Sequence, residues 1–187
     1  MSEVRNRIAH LMRRVAMIEG LSGQDLSGQD WSGVDLSNTD LSGANLKDAN
    51  LSGSTLRYAN LMKADLTGAN LSGANLSETD LYNANFTNAN LIEAMASEAN
   101  LSGAKLTGAK LREADLREAD LSHADLRRAN LSGADLSGAE LRGADLRGAD
   151  LRNADLYMAV LKKATYDSTT KLPFSDDEAD LRGMVKK

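Results

Sequence analysis

Residues 121–150 read LSHADLRRANLSGADLSGAELRGADLRGAD, with Leu at every fifth position. Outward from this stretch the frame runs without insertion from Leu21 to Leu161. It spans 29 pentads, in which only Trp31, Phe86 and Ala96 replace Leu. Two residues before the Leu stands a small residue, and it is Ala in 23 pentads. The residue between them is mostly Asp or Asn. On an α-helix, residues five apart are rotated by about 140°, so the leucines would wind around the whole cylinder. In an uninterrupted strand the odd period would send alternate leucines to opposite faces. A chain that turns one corner per pentad gathers them all inside. On each short side the Leu and the small residue then face inward and the Asp or Asn faces out. Such a pattern specifies a solenoid.

The corner residues fit this geometry. Thirteen of the 15 Gly fall two places after the Leu of their pentad, and Asn38, Asn83, Asn88 and Asn153 share the slot. Gly and Asn tolerate the positive φ that a type II turn needs at its third position. Glu98, Glu113, Glu118, His123 and Arg128 also occupy the slot, and another turn type is expected at those corners. Stacked coils separated by about 4.8 Å would pair their backbones as a parallel sheet does. The interior would be filled by Leu and Ala, with no room for a ligand.

The Ala-(Asp/Asn)-Leu-x-x unit, held over residues 21–166, resembles the pentapeptide-repeat family. The Cys-free, Ala-Asp-Leu-rich variety is similar to members plentiful in cyanobacteria. The resemblance implies an all-β solenoid, a right-handed quadrilateral β-helix with four pentads per coil. Seven to eight coils are then expected, in a rod roughly 35 Å long. The best understood members resemble B-form DNA and bind type II topoisomerases, and some confer quinolone resistance. In those relatives the C-terminal end makes a dimer.

The ends of such a rod expose strand edges and need covering. In residues 1–20, Val4, Ile8, Leu11, Met12 and Val15 recur at helical spacing, which predicts an amphipathic helix capping the first coil. A partner or membrane-surface helix is the alternative. The inward small slots of that coil hold Gln24, Gln29, Val34 and Thr39, suited to closing the end. In residues 167–187, Ser175-Asp176-Asp177-Glu178 reads as a helix start. Leu181, Met184 and Val185 are expected on the buried side of that helix, and Lys186 and Lys187 at its end. This segment is expected to be a cap or a dimerisation element. Tyr157, Met158 and Val160 are expected beneath it, with dimerisation again the alternative. No apolar stretch resembles a signal or a membrane span, so a cytoplasmic location is expected.

The chain has no Cys and two His, His10 and His123, which are far apart in the frame. No nucleophile, metal set or phosphate loop emerges, and neither catalysis nor a cofactor or metal is expected. With coils of 20 residues, Asp115, Asp135 and Asp155 would stack in one outward column. A solvated ladder relieved by Arg117 is favoured over a cation site or a phosphate mimic. Residues 21–110 carry net charge −5 and residues 111–163 net −1. DNA carries one charge per about 1.7 Å, roughly twenty over such a rod. The rod as a whole is a poor electrostatic copy of DNA, and it is not basic enough to bind nucleic acid.

Exceptions at outward positions are the better guide to function. Tyr58 and Met62 lie at adjoining corners, and Tyr82 follows Met62 by one coil. Ile92 stands where most pentads carry Ser, Arg or Thr. These four are the candidate partner-binding residues, because exposed aromatic and Met side chains are enriched at interfaces. At Ala94-Met95-Ala96 the frame breaks. Met95 is expected to turn inward and fill the gap at Ala96, with an exposed Met95 as the alternative. A basic corner at Arg127, Arg128 and Arg147 is a weaker candidate, because Asp125 and Asp145 lie beside it. The expected function is a non-enzymatic scaffold presenting flat faces to a protein partner. The alternative is a DNA-mimicking binder of a type II topoisomerase such as gyrase.

Overall fold

The computed structural model describes residues 20–187. The expected N-terminal helix and His10 lie outside the described residues. From Asp25↔Asn45 to Asp145↔Thr165, every parallel backbone bridge joins residues 20 apart. The last, Asp150↔Lys171, joins residues 21 apart, because the frame loosens after Tyr166. Four pentads therefore return the chain to the same column. Side one carries Asp25, Asn45 and Asp65 in register, and sides two, three and four begin with Asp30, Asp35 and Asp40. Each corner takes the number of the side it precedes.

A pentad makes one turn bond and several bonds to the coils above and below. The Ala44 N–H donates to Leu41 O at 3.0 Å, closing the turn. Leu26 N–H donates to Asn45 O at 2.7 Å, Asn45 N–H to Gln24 O at 2.9 Å and Gly23 N–H to Ser42 O at 2.8 Å. Each outward Asp or Asn also accepts the N–H two residues on, as Asp80 accepts from Tyr82 at 3.1 Å. This side-chain bond clasps the corner and explains why short polar residues dominate the outward slot.

The corner at Glu98, Glu113, Glu118, His123 and Arg128 is the same left-handed turn as at the glycines, with φ of 57–59°. The expected second turn type does not occur. Inter-coil bonds fix each corner from both sides, so they impose the glycine conformation on side chains that alone would resist it by about 1–2 kcal/mol. For Glu113, Glu118, His123 and Arg128, room comes from a glycine in the coil above. The His123 ring lies over Gly143, where an added Cβ would sit 2.8 Å from its Nδ1.

The leucines and alanines are buried from Leu41 to Ala164 except Ala159, which is half-buried, and the buried polar residues in the small slots are satisfied. Ser54 Oγ donates to Leu51 O and Thr79 Oγ1 to Leu56 O, both at 2.7 Å. In the first coil Val34 is buried, Gln29 and Thr39 half-buried, and Gln24 exposed. Phe86 on side one and Ala96 on side three are both buried and face each other across one coil. Met95 between Ala94 and Ala96 is 43% exposed, so it does not turn inward. Phe86 and Ala96 together carry as many side-chain carbons as the two Leu that stand at these places in the neighbouring coils, so the coil keeps its apolar content without Met95.

At the C-terminal end, β1 (Thr165–Tyr166) pairs in parallel with β2 (Val185–Lys186), Thr165 opposite Val185. Between them lies α1 (Asp176–Leu181), where the Ser175 side chain accepts from Glu178 N–H. Ala179 and Met184 are buried, but Leu181 is 85% exposed and Val185 faces outward. The expectation of Leu181 and Val185 on a buried helical face was wrong. Gly183 ends the helix at φ +73°, and Met184-Val185-Lys186 rejoins the repeat frame, inward then outward. Lys186 accordingly lies in β2 and pairs with Asp176. Tyr157 and Met158 are 71% and 73% exposed, not covered, while Val160 is half-buried. Arg182 Nη1 reaches Leu156 O at 3.2 Å, but α1 leaves the corner beyond it open.

Candidate functional site

Outward side chains are set by the frame, so their positions follow from the 20-residue register. Tyr58 stands at corner four, and Met62 and Tyr82 stack at corner one, where Lys63 N–H donates to Tyr82 O at 2.9 Å. Side four, with Asn60 and Asp80, lies between them. Tyr58 and Tyr82 are exposed and Met62 is half-buried. Ile92 is half-buried at corner three, diagonally across the coil from corner one. The structure thus brings Tyr58, Met62 and Tyr82 to one side and sets Ile92 apart.

Tyr58 is held rather than loose. Arg57 Nη2 donates to its phenolic oxygen at 2.9 Å and to Glu78 Oε1 at 2.7 Å. The guanidinium lies 4.9 Å from the ring centroid. Hydrogen bonding to Glu78 raises the phenol above its usual range, and Arg57 lowers the Glu78 carboxyl. An anchored aromatic loses less entropy when it is buried by a partner.

The outward Asp115, Asp135 and Asp155 do stack, and Met95 precedes them in the same column. Asp115 is clasped by Arg117, Nε at 2.8 Å and Nη2 at 2.7 Å. The same Asp-Leu-Arg clasp recurs at Arg127, Arg147 and Arg152. At corner two, Arg127, Arg128, Arg147, Asp167 and Thr169 line a shallow groove of about 490 Å³. Asp125 and Asp145 pair with Arg127 and Arg147 there, which weakens the groove as an anion site. Among the described residues no group of His, Asp or Glu is placed to hold a metal ion.

Charge divides between the sides, a feature that linear counting hides. Over residues 61–140, the third and fourth pentads of each coil carry ten carboxylates against Arg112 and Arg117, net −8. Glu78, Glu98 and Glu118 stack at corner four, and Glu93 and Glu113 at corner three. The first and second pentads carry five cations against Asp65 and Asp125, net +3. The signal lay in the sequence but needed the coil length to be read.

The family of pentapeptide repeats matches the chain in eight copies, over residues 21–57, 59–94, 97–133 and 129–165. Alr5209, a pentapeptide repeat protein from Nostoc PCC 7120, is 41% identical, covers 55% of this chain and 84% of its own, and superposes with a TM-score of 0.53. HetL, involved in heterocyst differentiation regulation in the same cyanobacterium, is 29% identical, with 93% and 90% covered and a TM-score of 0.43. QnrB1, a plasmid-mediated fluoroquinolone resistance protein, is 21% identical, with 88% and 87% covered and a TM-score of 0.56. At that identity QnrB1 shows the fold alone. No curated protein sequence matches the chain. No helix among the described residues is long and apolar enough to cross a membrane.

Proposed function

Since the chain belongs to the pentapeptide-repeat family, we propose that it is a non-enzymatic scaffold that binds a protein partner through the sides of its rod. In this reading the rod is a right-handed quadrilateral β-helix of seven to eight coils. Residues 167–187 cover part of its C-terminal end and leave the corner at Tyr157 and Met158 open. The interior is filled by Leu and Ala and leaves no place for a substrate, so work falls to the surface. The observation that carries the proposal is the grouping of Tyr58, Met62 and Tyr82 around side four, where Ser and Gly prevail elsewhere. Ile92, on another corner, would belong to a second contact. Changing Tyr58 and Tyr82 together to Ser should weaken partner binding by at least ~2 kcal/mol if both are hot spots. Thermal stability should change little, because both rings lie outside the core. Unchanged affinity would count against side four.

Two further readings accompany it. The open Tyr157, Met158 and Leu181 favour a homodimer through the C-terminal end, which sedimentation equilibrium would detect. The acidic half of the rod favours the alternative of a topoisomerase-directed DNA mimic. Its net −8 over residues 61–140 falls on four coils, about 19 Å of rod, along which DNA would present roughly eleven charges. Stoichiometric protein should leave gyrase supercoiling unaffected under the scaffold reading. Potent inhibition would raise the mimic above it.

A further inference from the structure

Met95 breaks the outward rule at a cost to the fold. From residue 25 to residue 155 it is the single apolar side chain in the outward columns. Its thioether cannot accept the Ser97 N–H as Asn75 accepts Ser77 and Asn100 accepts Ser102. It does not fill the space at Ala96, since it stays exposed. Among the described residues no side-chain hydrogen bond replaces the lost clasp, and breaking a local rule without such a gain marks a surface kept for something else. Ile92, three residues earlier, adds a half-buried apolar edge to the same side.

The rim around Met95 is acidic. Glu93 and Glu98 occupy the two corners that flank side three in its own coil, and Glu113 and Glu118 follow in the coil above beside Arg112 and Arg117, which leaves the rim net negative. All four glutamates hold the left-handed conformation that Gly would adopt at less cost. Among the described residues Glu93, Glu98 and Glu118 have no ion pair, and Glu113 has only an exposed contact with Arg112 at 3.7 Å. The centre is apolar and soft, which argues against a cation, and the rim would repel a nucleic acid.

We infer that side three, centred on Met95, docks a basic amphipathic helix of a partner protein. Apolar residues of that helix seat on Met95 and Ile92, and its Lys or Arg residues meet Glu93, Glu98 and Glu118. Four coils rise about 19 Å, enough for roughly three helical turns laid along the rod. This deepens the scaffold proposal and rests on it, while committing to a different side from the Tyr82 corner.

The test uses the full chain with its seven methionine methyl groups labelled for NMR. The probe is a synthetic two-heptad helical peptide with a Leu stripe and Lys elsewhere, compared with oligolysine of equal charge. The amphipathic peptide should shift the Met95 methyl and bind at least tenfold more tightly than oligolysine. Met95→Asn, which restores the usual outward residue, should weaken it at least tenfold, as should Glu98→Gln with Glu118→Gln. Asp48→Asn at the diagonal corner should leave affinity unchanged. Equal binding of oligolysine, or indifference to Met95→Asn, would reduce the effect to general charge attraction and overturn the inference. A shifted Met62 methyl with Met95 silent would overturn it while the scaffold proposal stood. Silence toward both the peptide and a partner recovered from cell extract would remove both.

Discussion

The facing pair Phe86 and Ala96 gives the most quantitative handle on the core. Both are buried in one coil, on sides one and three, and the coils above and below carry Leu at both places. Phe and Ala together have the same number of side-chain carbons as two Leu, so the coil conserves content while shifting it to one side. Phe86→Leu removes three carbons, about 2.4 kcal/mol of transfer energy. With the cavity included it should cost about 2–4 kcal/mol. Ala96→Leu adds three carbons to a closed layer and should cost about 1–3 kcal/mol by overpacking. The double variant restores Leu on both sides and should lie within about 1 kcal/mol of the parent. Urea unfolding followed by circular dichroism, with Trp31 fluorescence as a second probe, would measure all three. Unchanged denaturant slopes would secure the comparison. If the two costs simply add, Phe86 does not occupy the space at Ala96 and the packing explanation of the exposed Met95 fails.

Gly143→Ala should destabilise more than Gly73→Ala. Both place a side chain at positive φ, but only the former meets a neighbour, the His123 ring at 2.8 Å. The shared strain is about 1–2 kcal/mol, partly offset by about 0.4–1 kcal/mol of unfolded-chain entropy. Adding His123→Ala should bring the first variant to the level of the second, and equal melting temperatures without it would refute the stacking rule. Leu131→Asp should unfold the neighbouring coils by burying an unpaired carboxylate, whereas Ser132→Asp should be nearly silent by circular dichroism. Arg117, Arg127, Arg147 and Arg152 hold Asp115, Asp125, Asp145 and Asp150 below the usual carboxylate range. A folded pKa depressed in this way gives stability that is present above the unfolded value, about 3.9, and lost as pH falls through the folded one. The melting temperature should therefore be level from neutral pH to about pH 5 and drop below about pH 4. A decline near pH 6 would contradict these clasps.

The inward and outward assignment of nearly every pentad was legible, because period five admits one way to collect Leu and Ala inside. Where the reading failed, a second residue decided the outcome. Ala96 alone suggests a gap for Met95 to fill, but the larger Phe86 stands half a coil away in the same coil and Met95 stays exposed. Glu98, His123 and Arg128 disfavour this turn by their own preferences, whereas inter-coil bonds force the common corner. Leu181 and Val185 have helical spacing with Met184, but Gly183 returns the chain to the repeat. The acidic half of the rod is hidden in the linear sequence because its residues alternate along the chain with basic ones every ten positions. Counting by segment averages over all four sides.

The proposed function places a protein partner on the sides of the rod. Hydroxyl-radical footprinting of the full chain, with and without a partner recovered from cell extract, reads this directly, since Tyr and Met side chains report on their own exposure. Protection of Tyr58, Tyr82 and Met95 is expected, with Tyr157 and Met158 at the C-terminal end unchanged. Protection of Tyr157 and Met158 alone would contradict it and make the end of the rod the binding surface.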